Sequence, residues 1–598
     1  MVCMLRRRKT IDFNDAVSYI SNSAAPIATL WNMKAGLDLR YSPFMGAGPG
    51  GQLIWGRPNT HLLCLGSPQN PPGKTGSVTV TNGISHFGPV ALVTTKWDAV
   101  RNITTPRLWM SEGQLPWQYN PAGPIDPGFL ELRHSPLKYC TDDTSTAEEW
   151  QTLVGSAVAR DRIDPNASAT DPRWMHLAKS LGCGLMRYAA EALRHDKPYD
   201  ISWIGQQLQY KNFDDLQVVA DWLVSVRSVF ALGLAGYLKT GAAEAGGREV
   251  HGIFTTAQII FEPWMTKEAI RSQTNPNFDP DAFVAAELGD NIWLRDPYLD
   301  NDPTHPGHVL ARQGIYPKTG TFDTIIMSIP QHQQLLAAPL IITLLGAITK
   351  AAIKRKGLDE RAGLYGRPNV GLVLDELANL APLPDLPRLL SEGASQGVTI
   401  YGCLQNATQS LARWGERDGG HAMLANFGNV ICLPGVTDPY TLEWFEQLGG
   451  RTTRPTRSTN FHFDATSRAG YTDGREEVWR FPRDSIRQGH PQNADLGLMV
   501  QSKAMDWGYC TPAHRSRPWL PLILSAFTAL MQDDYLDTNP QVALLPGPDL
   551  DRFGDGRSLN REQLATFRAA LGRRTAWIER HLDERPPSTA TNSQEARQ

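Results

Sequence analysis

Short apolar runs bounded by glycine, proline or asparagine recur in two blocks of the chain, and such runs predict strands buried on both faces of a parallel sheet. In the first block, "HLLCLG" (61–66) and "PVALVTTKWDAV" (89–100) flank a moderately apolar segment that predicts a helix running to "SHFG". In the second, "FDTIIMSIP" (322–330) precedes the apolar helix "QLLAAPLIITLLGAITKAAI" (334–353), and the strands "VGLVL" (370–374) and "VTIYGCL" (398–404) follow. Between the blocks the apolar period lengthens to that of helices. "DPRWMHLAKSLGCGLMRYAAEALRH" (171–195) offers Asp171 as N-cap and Pro172 as first helical residue, with Trp174, Leu177, Leu181, Leu185 and Tyr188 along one face. "FDDLQVVADWLVSVRSVFALGLAGYL" (213–238) repeats that character. Near the end, "LNREQLATFRAALGRRTAWIERHL" (559–582) predicts an amphipathic helix with Leu564, Phe567, Leu571 and Ile578 on a face, before a tail of disordered composition.

These patterns divide the 598 residues into a lead-in at 1–60, a first sheet segment at 61–164, a helical block at 165–320, a second sheet segment at 321–525 and a C-terminal helix with its tail at 526–598. The composition, 41% hydrophobic and 20% charged, is that of an ordinary globular protein with room for large cores. A net charge of -3 leaves no basic field over the whole surface, so any nucleic acid contact has to come from local patches. The seven cysteines are scattered, with no C-x-x-C pair, which fits a reducing, cytosolic compartment and no zinc site. The basic N-terminus "MVCMLRRRKTIDFND" has no apolar region behind it, and no run of about 18 apolar residues stands out, so neither a signal peptide nor a membrane span is expected.

The strand ends carry the chemistry. Gly73, Lys74 and Thr75 follow the first strand, where a phosphate-binding loop would hold them. In open parallel sheets the ligand crevice lies beyond the carboxyl ends of the strands. Asp375 and Glu376 end "VGLVL", and Gln405 ends "VTIYGCL", so all of these residues have a route to one site. A nucleoside triphosphate needs backbone N–H groups, a lysine for its terminal phosphates, and a hydroxyl with a carboxylate to hold Mg2+. Gly73, Lys74, Thr75 and Asp375 supply that set, with Thr75 and Asp375 as the Mg2+ ligands. Glu376 is then placed to polarise the attacking water and Gln405 to sense the terminal phosphate. The loop departs from the G-x-x-x-x-G-K-[ST] pattern. Pro68 occupies the first glycine position, Gly66 comes two residues too early, and Pro68, Pro71 and Pro72 have no N–H to offer a phosphate. It is either two residues longer than usual or impaired. Other polar clusters are read as surface: "SIPQHQQ" with His332 as a loop opening a helix, and Arg451, Arg454 and Arg457 as a solvated loop.

The segment "GLVLDELANLAPLPDLPRLLSEGASQGVTIYGCLQNATQSLARWGERDGGHAMLANFGNVICLPGVTDPYTLEWFEQLGG" resembles the TraG/TraD-type coupling proteins of type IV secretion and conjugation, in their TraM recognition domain. The resemblance extends more weakly over roughly residues 60 to 525, through "GPVALVTTKWDAVRNITTPR", "LRHSPLKYC", "FDPDAFVAAE" and "REEVWRFPRDSIRQ". It implies a RecA-like P-loop ATPase, related to FtsK-type DNA pumps, with an all-α domain inserted where the helical block falls. It also implies ATP and Mg2+ as cofactors, a homo-hexameric working form, a relaxase–DNA complex or DNA as substrate, and type IV secretion channel components as partners. By position, Lys74 and Thr75 match the Walker A end, Asp375 and Glu376 the Walker B, and Gln405 the glutamine after the next strand. Arg413 and Arg417 are candidates for an arginine finger. Members of that family usually begin with transmembrane helices, and none is read here. The expected location is therefore cytoplasmic or peripheral at the inner face of the cell membrane, through partners or an anchor missing from this chain. Three readings stay open: a DNA-pumping ATPase, a substrate-recruiting adaptor of the same fold without hydrolysis, and an FtsK-like translocase.

Overall fold

In the computed structural model the described residues are 42–47, 53–57, 59–67, 73–111, 114–163, 172–211, 213–241, 247–285, 322–362, 367–393, 395–415, 419–460, 470–489, 497–501, 507–510, 520–548 and 560–582. The proline-bearing part of the loop, Asp171 and Arg417 lie outside them.

A small antiparallel pair, β1 (Phe44–Ala47) and β2 (Leu53–Trp55), precedes the main sheet. That sheet takes β3 (Leu62–Leu65), β4 (Val90–Thr94), β5 (Trp117–Gln118), β6 (Leu130–Glu131), β7 (Thr324–Ser328), β8 (Val370–Leu374), β9 (Val398–Leu404) and β10 (Asn429–Cys432). A hairpin of β11 (Arg451–Asn460) and β12 (Gly470–Trp479) stands apart as its own two-stranded sheet. Two further strands, β13 (Gly497–Gln501) and β14 (Trp507–Cys510), complete the main sheet in the order β14-β13-β10-β3-β9-β8-β4-β7-β5-β6. From β10 to β6 every pairing is parallel, and β13 and β14 add to the β10 edge in antiparallel register. The architecture is α/β, and β9 lies between the Gly-Lys-Thr strand β3 and the Asp-Glu strand β8.

Period-two alternation sorts each central strand between two cores. Leu63, Leu65, Ala91, Val93, Leu372 and Leu374 face one core, and Leu62, Cys64, Val90, Leu92, Val373 and Tyr401 face the other. The second core is covered by α1 (Val80–Ser85), α2 (Trp97–Met110), and two C-terminal helices, Leu520–Leu530 and Arg561–Leu582. On the last of these, Ala570 and Trp577 are buried, with Phe567, Leu571 and Ile578 packed beside them. The first core is continuous with a helical region. It begins with α3 (Asp143–Ile163) and runs through Lys179–Arg194, Ile201–Tyr210, Phe213–Ser225, Ala231–Gly241 and Gly247–Phe261.

Beneath that face runs the long apolar helix Gln334–Arg361, packed on α3. Where the sequence reading finds no membrane-length apolar stretch, this region (Gln331–Arg361) passes the test of length and composition among the described residues. Its apolar window is 72% buried inside the fold, so its apolar character serves the core.

Two histidines set the acid limit of this core. Burial holds His61 down at about 4 and His134 at about 3, with the Lys138 ammonium adding to the effect on His134. His61 Nδ1 accepts the Ile400 amide at 3.0 Å, a bond that requires an unprotonated nitrogen there. Both folded values lie below the ordinary 6.5, so the unfolded chain takes up protons first. Their stabilisation is complete above pH 6.5 and is lost as the pH falls towards 4 for His61 and 3 for His134. The expected slope approaches about 1.4 kcal/mol per pH unit for each histidine. Urea unfolding at several pH values tests this, and His61→Gln should remove one proton's worth of the slope.

Candidate nucleotide site

Beyond the carboxyl end of β3 the chain reaches Gly66 and re-enters the described region at Gly73, whose φ of +70° suits glycine. A helix starts at once: Thr75–Thr79 form a widened π turn that passes into α1. Such turns are uncommon and often occur at functional sites. Here Thr75 and Thr79 point to one side and meet β8, from 300 residues further along the chain. The Thr75 hydroxyl lies 3.0 and 3.1 Å from the two Asp375 carboxylate oxygens, and the Thr79 hydroxyl donates to Oδ1 at 2.8 Å. From the end of β4, the Thr94 hydroxyl donates to Oδ2 at 3.0 Å.

Asp375 is fully buried. A buried carboxylate is costly unless it is hydrogen-bonded and neutralised. Besides the hydroxyls it has the Lys96 ammonium, which donates to Thr75 Oγ1 at 2.7 Å and stands 3.9 Å from Asp375 Oδ2. Lys74 is also buried, and its Nζ donates to the Gly66 carbonyl at 2.7 Å across the mouth of the loop. Gly66 leaves room for this: a Cβ there would come within 3.1 Å of Lys74 Cγ.

Glu376 follows directly. Burial first, and then the Asp375 charge, push its carboxyl above the ordinary 4.5, against the opposing pull of Lys74 and Lys96. Asn379 Nδ2 donates to it at 3.3 Å. Asn379 is held in turn by Arg413, whose Nη2 donates to Asn379 Oδ1 at 3.4 Å and whose Nε donates to the Ala378 carbonyl at 3.0 Å. Arg413 and Arg162, at the end of α3, also exchange bonds to each other's carbonyls. Arg413 is thus engaged within its own chain, bracing the loop after β8. Gln405 follows β9, the strand between those of Lys74 and Asp375, and its backbone N–H donates to Gln409 Oε1 at 2.8 Å.

The fold therefore brings Lys74, Thr75 and Asp375 together, sets Glu376 beside them, and leaves Gln405 at the carboxyl end of the strand between theirs. The sequence reading did not single out Thr79, Thr94 and Lys96. The available signal was a Thr-Thr-Lys run closing a strand of the same sheet.

The other polar clusters resolve as ordinary structure. His332 is exposed on a short 3-10 turn, Gln331–Gln333, that opens the long apolar helix. Arg451, Arg454 and Arg457 lie on β11 rather than in a loop, opposite an acidic partner strand. Arg451 is 3.4 Å from Glu477 and stacks over Trp479 at 4.6 Å, and Arg454 pairs in register with Glu476.

A comparison with curated proteins finds no match. Among solved structures, the chain is similar to the bacterial conjugative coupling protein TrwBdeltaN70 in an unbound form, at 15% identity over 78% of this chain and 88% of that one, with a TM-score of 0.49. It is also similar to plasmid coupling protein TrwB in complex with ADP and Mg2+, at 15% identity over the same shares and a TM-score of 0.48. A third likeness is to TrwB with a non-hydrolysable ATP analogue, at 15% identity over 76% and 85% of the two chains and a TM-score of 0.46. The family comparison is specific to one region, which runs from the residue before β8 past the end of β12 and contains Asp375, Glu376, Gln405 and Arg413. Residues 369–485 of this chain match the family model described as the TraM recognition site of TraD and TraG.

Proposed function

We propose that this chain is an ATP-driven coupling protein of a conjugative, type IV secretion DNA-transfer system. The observation that carries the reading is the Thr75–Asp375 junction: a Gly-Lys-Thr helix start bonded to the carboxylate that opens the TraM recognition region. The donor set suits a magnesium nucleotide. A hydroxyl and a carboxylate are the hard oxygen ligands that Mg2+ prefers, and the Lys74 and Lys96 ammoniums offset triphosphate charge.

In this reading Gly73 and Lys74 bind the phosphates, and Thr75 and Asp375 hold the metal. The bound metal neutralises charge on the terminal phosphates. Glu376 accepts the proton of the attacking water, helped by the burial and the neighbouring charge that raise its basicity. Gln405 reports the terminal phosphate to the strands around it. The chain would work as a homo-hexamer at the cytoplasmic face of the membrane, receiving a relaxase–DNA complex and passing it to channel components. The helical region at 165–320 would be the inserted domain of each subunit.

A second reading, an adaptor that recruits substrate without hydrolysis, is favoured by Pro68, Pro71 and Pro72, which offer the phosphates no N–H. Phosphate release from ATP, with and without single-stranded DNA, separates the two. The motor reading expects Mg2+-dependent turnover that DNA stimulates. Nucleotide binding without turnover would select the adaptor, and absence of both would remove the nucleotide site.

A further inference from the structure

The Thr75 hydroxyl is used twice: its proton goes to Asp375, and one lone pair receives Lys96 Nζ at 2.7 Å. A divalent cation ligated by Thr75 and Asp375 would take the other lone pair of that oxygen and so come directly against the ammonium. It would also place a second positive charge beside an ammonium 3.9 Å from the carboxylate. Lys96 is well set to leave. Its side chain is 42% exposed, while its backbone N–H is fixed on Thr94 Oγ1 at 3.0 Å, so the ammonium can swing out while the strand end stays in place.

We propose that Lys96 is a resident cation of the nucleotide site, occupying the Thr75–Asp375 junction when no metal is bound and being displaced when metal enters. The inference rests on the nucleotide-site reading above. It assigns Lys96 a positioning and gating role, which the Gly-Lys-Thr and Asp-Glu motifs do not contain. In metal-free protein the ammonium partly neutralises a buried carboxylate and keeps the widened helix start bonded to β8. The metal does the same on arrival, so the junction is never left with a bare buried charge. Breaking the Lys96–Thr75 hydrogen bond and moving the ammonium away from Asp375 is the cost of entry. Metal affinity should therefore be lowered by roughly tenfold or more relative to a site without the lysine.

The test uses Mn2+ alone, followed by the paramagnetic resonance of the free ion, so that loss of the lysine's attraction for phosphate does not enter. Lys96→Met is expected to bind Mn2+ about tenfold more tightly than wild type. Lys96→Arg, which keeps a cation, should stay near the wild-type value. The variant should also melt at a lower temperature in chelator and recover with Mg2+. Equal or weaker Mn2+ binding by Lys96→Met would overturn the proposal. A wild-type measurement guards against a variant that does not fold: amine labelling of Lys96, read by mass spectrometry, should rise severalfold when saturating Mn2+ is added. Unchanged labelling at saturation also overturns it. Fluorescent-ADP binding by wild type, run in parallel, separates the two levels. If wild type binds Mg-ADP but Lys96→Met keeps wild-type Mn2+ affinity, only the gating inference fails. If wild type binds neither metal nor nucleotide, the site reading fails with it.

Discussion

Glu376→Gln is expected to lower the rate of ATP hydrolysis by roughly 10²- to 10⁴-fold, the usual contribution of a positioned general base, while nucleotide binding changes little. Glutamine keeps the length of the side chain and, by flipping its amide, can still accept from Asn379 Nδ2, which donates to Glu376 at 3.3 Å. It cannot take a proton from water. The substitution also removes one negative charge from beside Asp375, so metal-nucleotide affinity should hold or rise slightly. Asp375→Asn should behave differently. It removes the carboxylate proposed to hold the metal and disturbs the acceptor shared by the Thr75, Thr79 and Thr94 hydroxyls. Its defect should therefore appear in binding as well as in turnover.

Phosphate release and fluorescent-ADP titration, run on both variants, give the split between kcat and affinity that separates a base from a ligand. The raised Glu376 carboxyl adds a second signature. A base works deprotonated, so the acid limb of kcat/KM, which reports the free enzyme, should lie above the ordinary glutamate value of 4.5 and disappear from any residual rate of the Gln variant. Wild-type hydrolysis that survives Glu376→Gln would assign the proton to another acceptor.

The residues of this site were legible in unequal measure, for reasons of geometry. Lys74, Thr75, Asp375 and Glu376 follow strands whose apolar runs are unambiguous, and polar residues at the ends of buried strands stand out. Lys96 follows an equally clear strand, yet its reach depends on strand order. β3 and β4 look like neighbours joined by a helix, whereas β9 and β8 lie between them. That order is set by segments hundreds of residues later, so no local spacing shows that Lys96 faces the Thr75–Asp375 junction. The arginines at 451, 454 and 457 failed for another reason. β11 pairs with β12 as a separate ribbon, and Arg451 and Arg454 are exposed. The apolar alternation by which a half-buried strand is recognised is missing there. β5 and β6, at two residues each, are too short to leave a periodic trace. Arg413 needed contacts across the chain to be placed. Its bonds to Ala378, Asn379 and Arg162 make it a brace, and nothing in "LARWG" distinguishes that from an interface arginine.

Arg107→Met is expected to destabilise the folded protein by about 3 kcal/mol, with nucleotide binding per folded molecule retained. Arg107 is only 1% exposed. Its Nε donates to Thr324 Oγ1 at 2.7 Å, Nη1 to the carbonyls of Gly83 and His86 at 3.2 and 3.1 Å, and Nη2 to the Gly88 carbonyl at 2.6 Å. One guanidinium thus joins α2 to the end of α1, to the turn before β4, and to the first residue of β7. Two effects oppose each other. Burial pulls the Arg107 guanidinium down to about 9, the mark of a charge held at a cost, and Met removes that cost. Met also leaves buried carbonyls without donors, at about 1–3 kcal/mol each. With three carbonyls and one hydroxyl losing their partner, the second effect outweighs the first. Arg107→Lys keeps the charge and its desolvation but loses the planar fork of donors, so it should recover little. Urea unfolding of the three proteins measures the loss, and a Met variant as stable as wild type would show that the carbonyls find other donors. The bonds of Arg107 end at strand starts and turns rather than at strand ends, so its substitution should spare the Thr75–Asp375 junction. Fluorescent-ADP binding, normalised to the folded fraction, should therefore match wild type even as the unfolding midpoint falls.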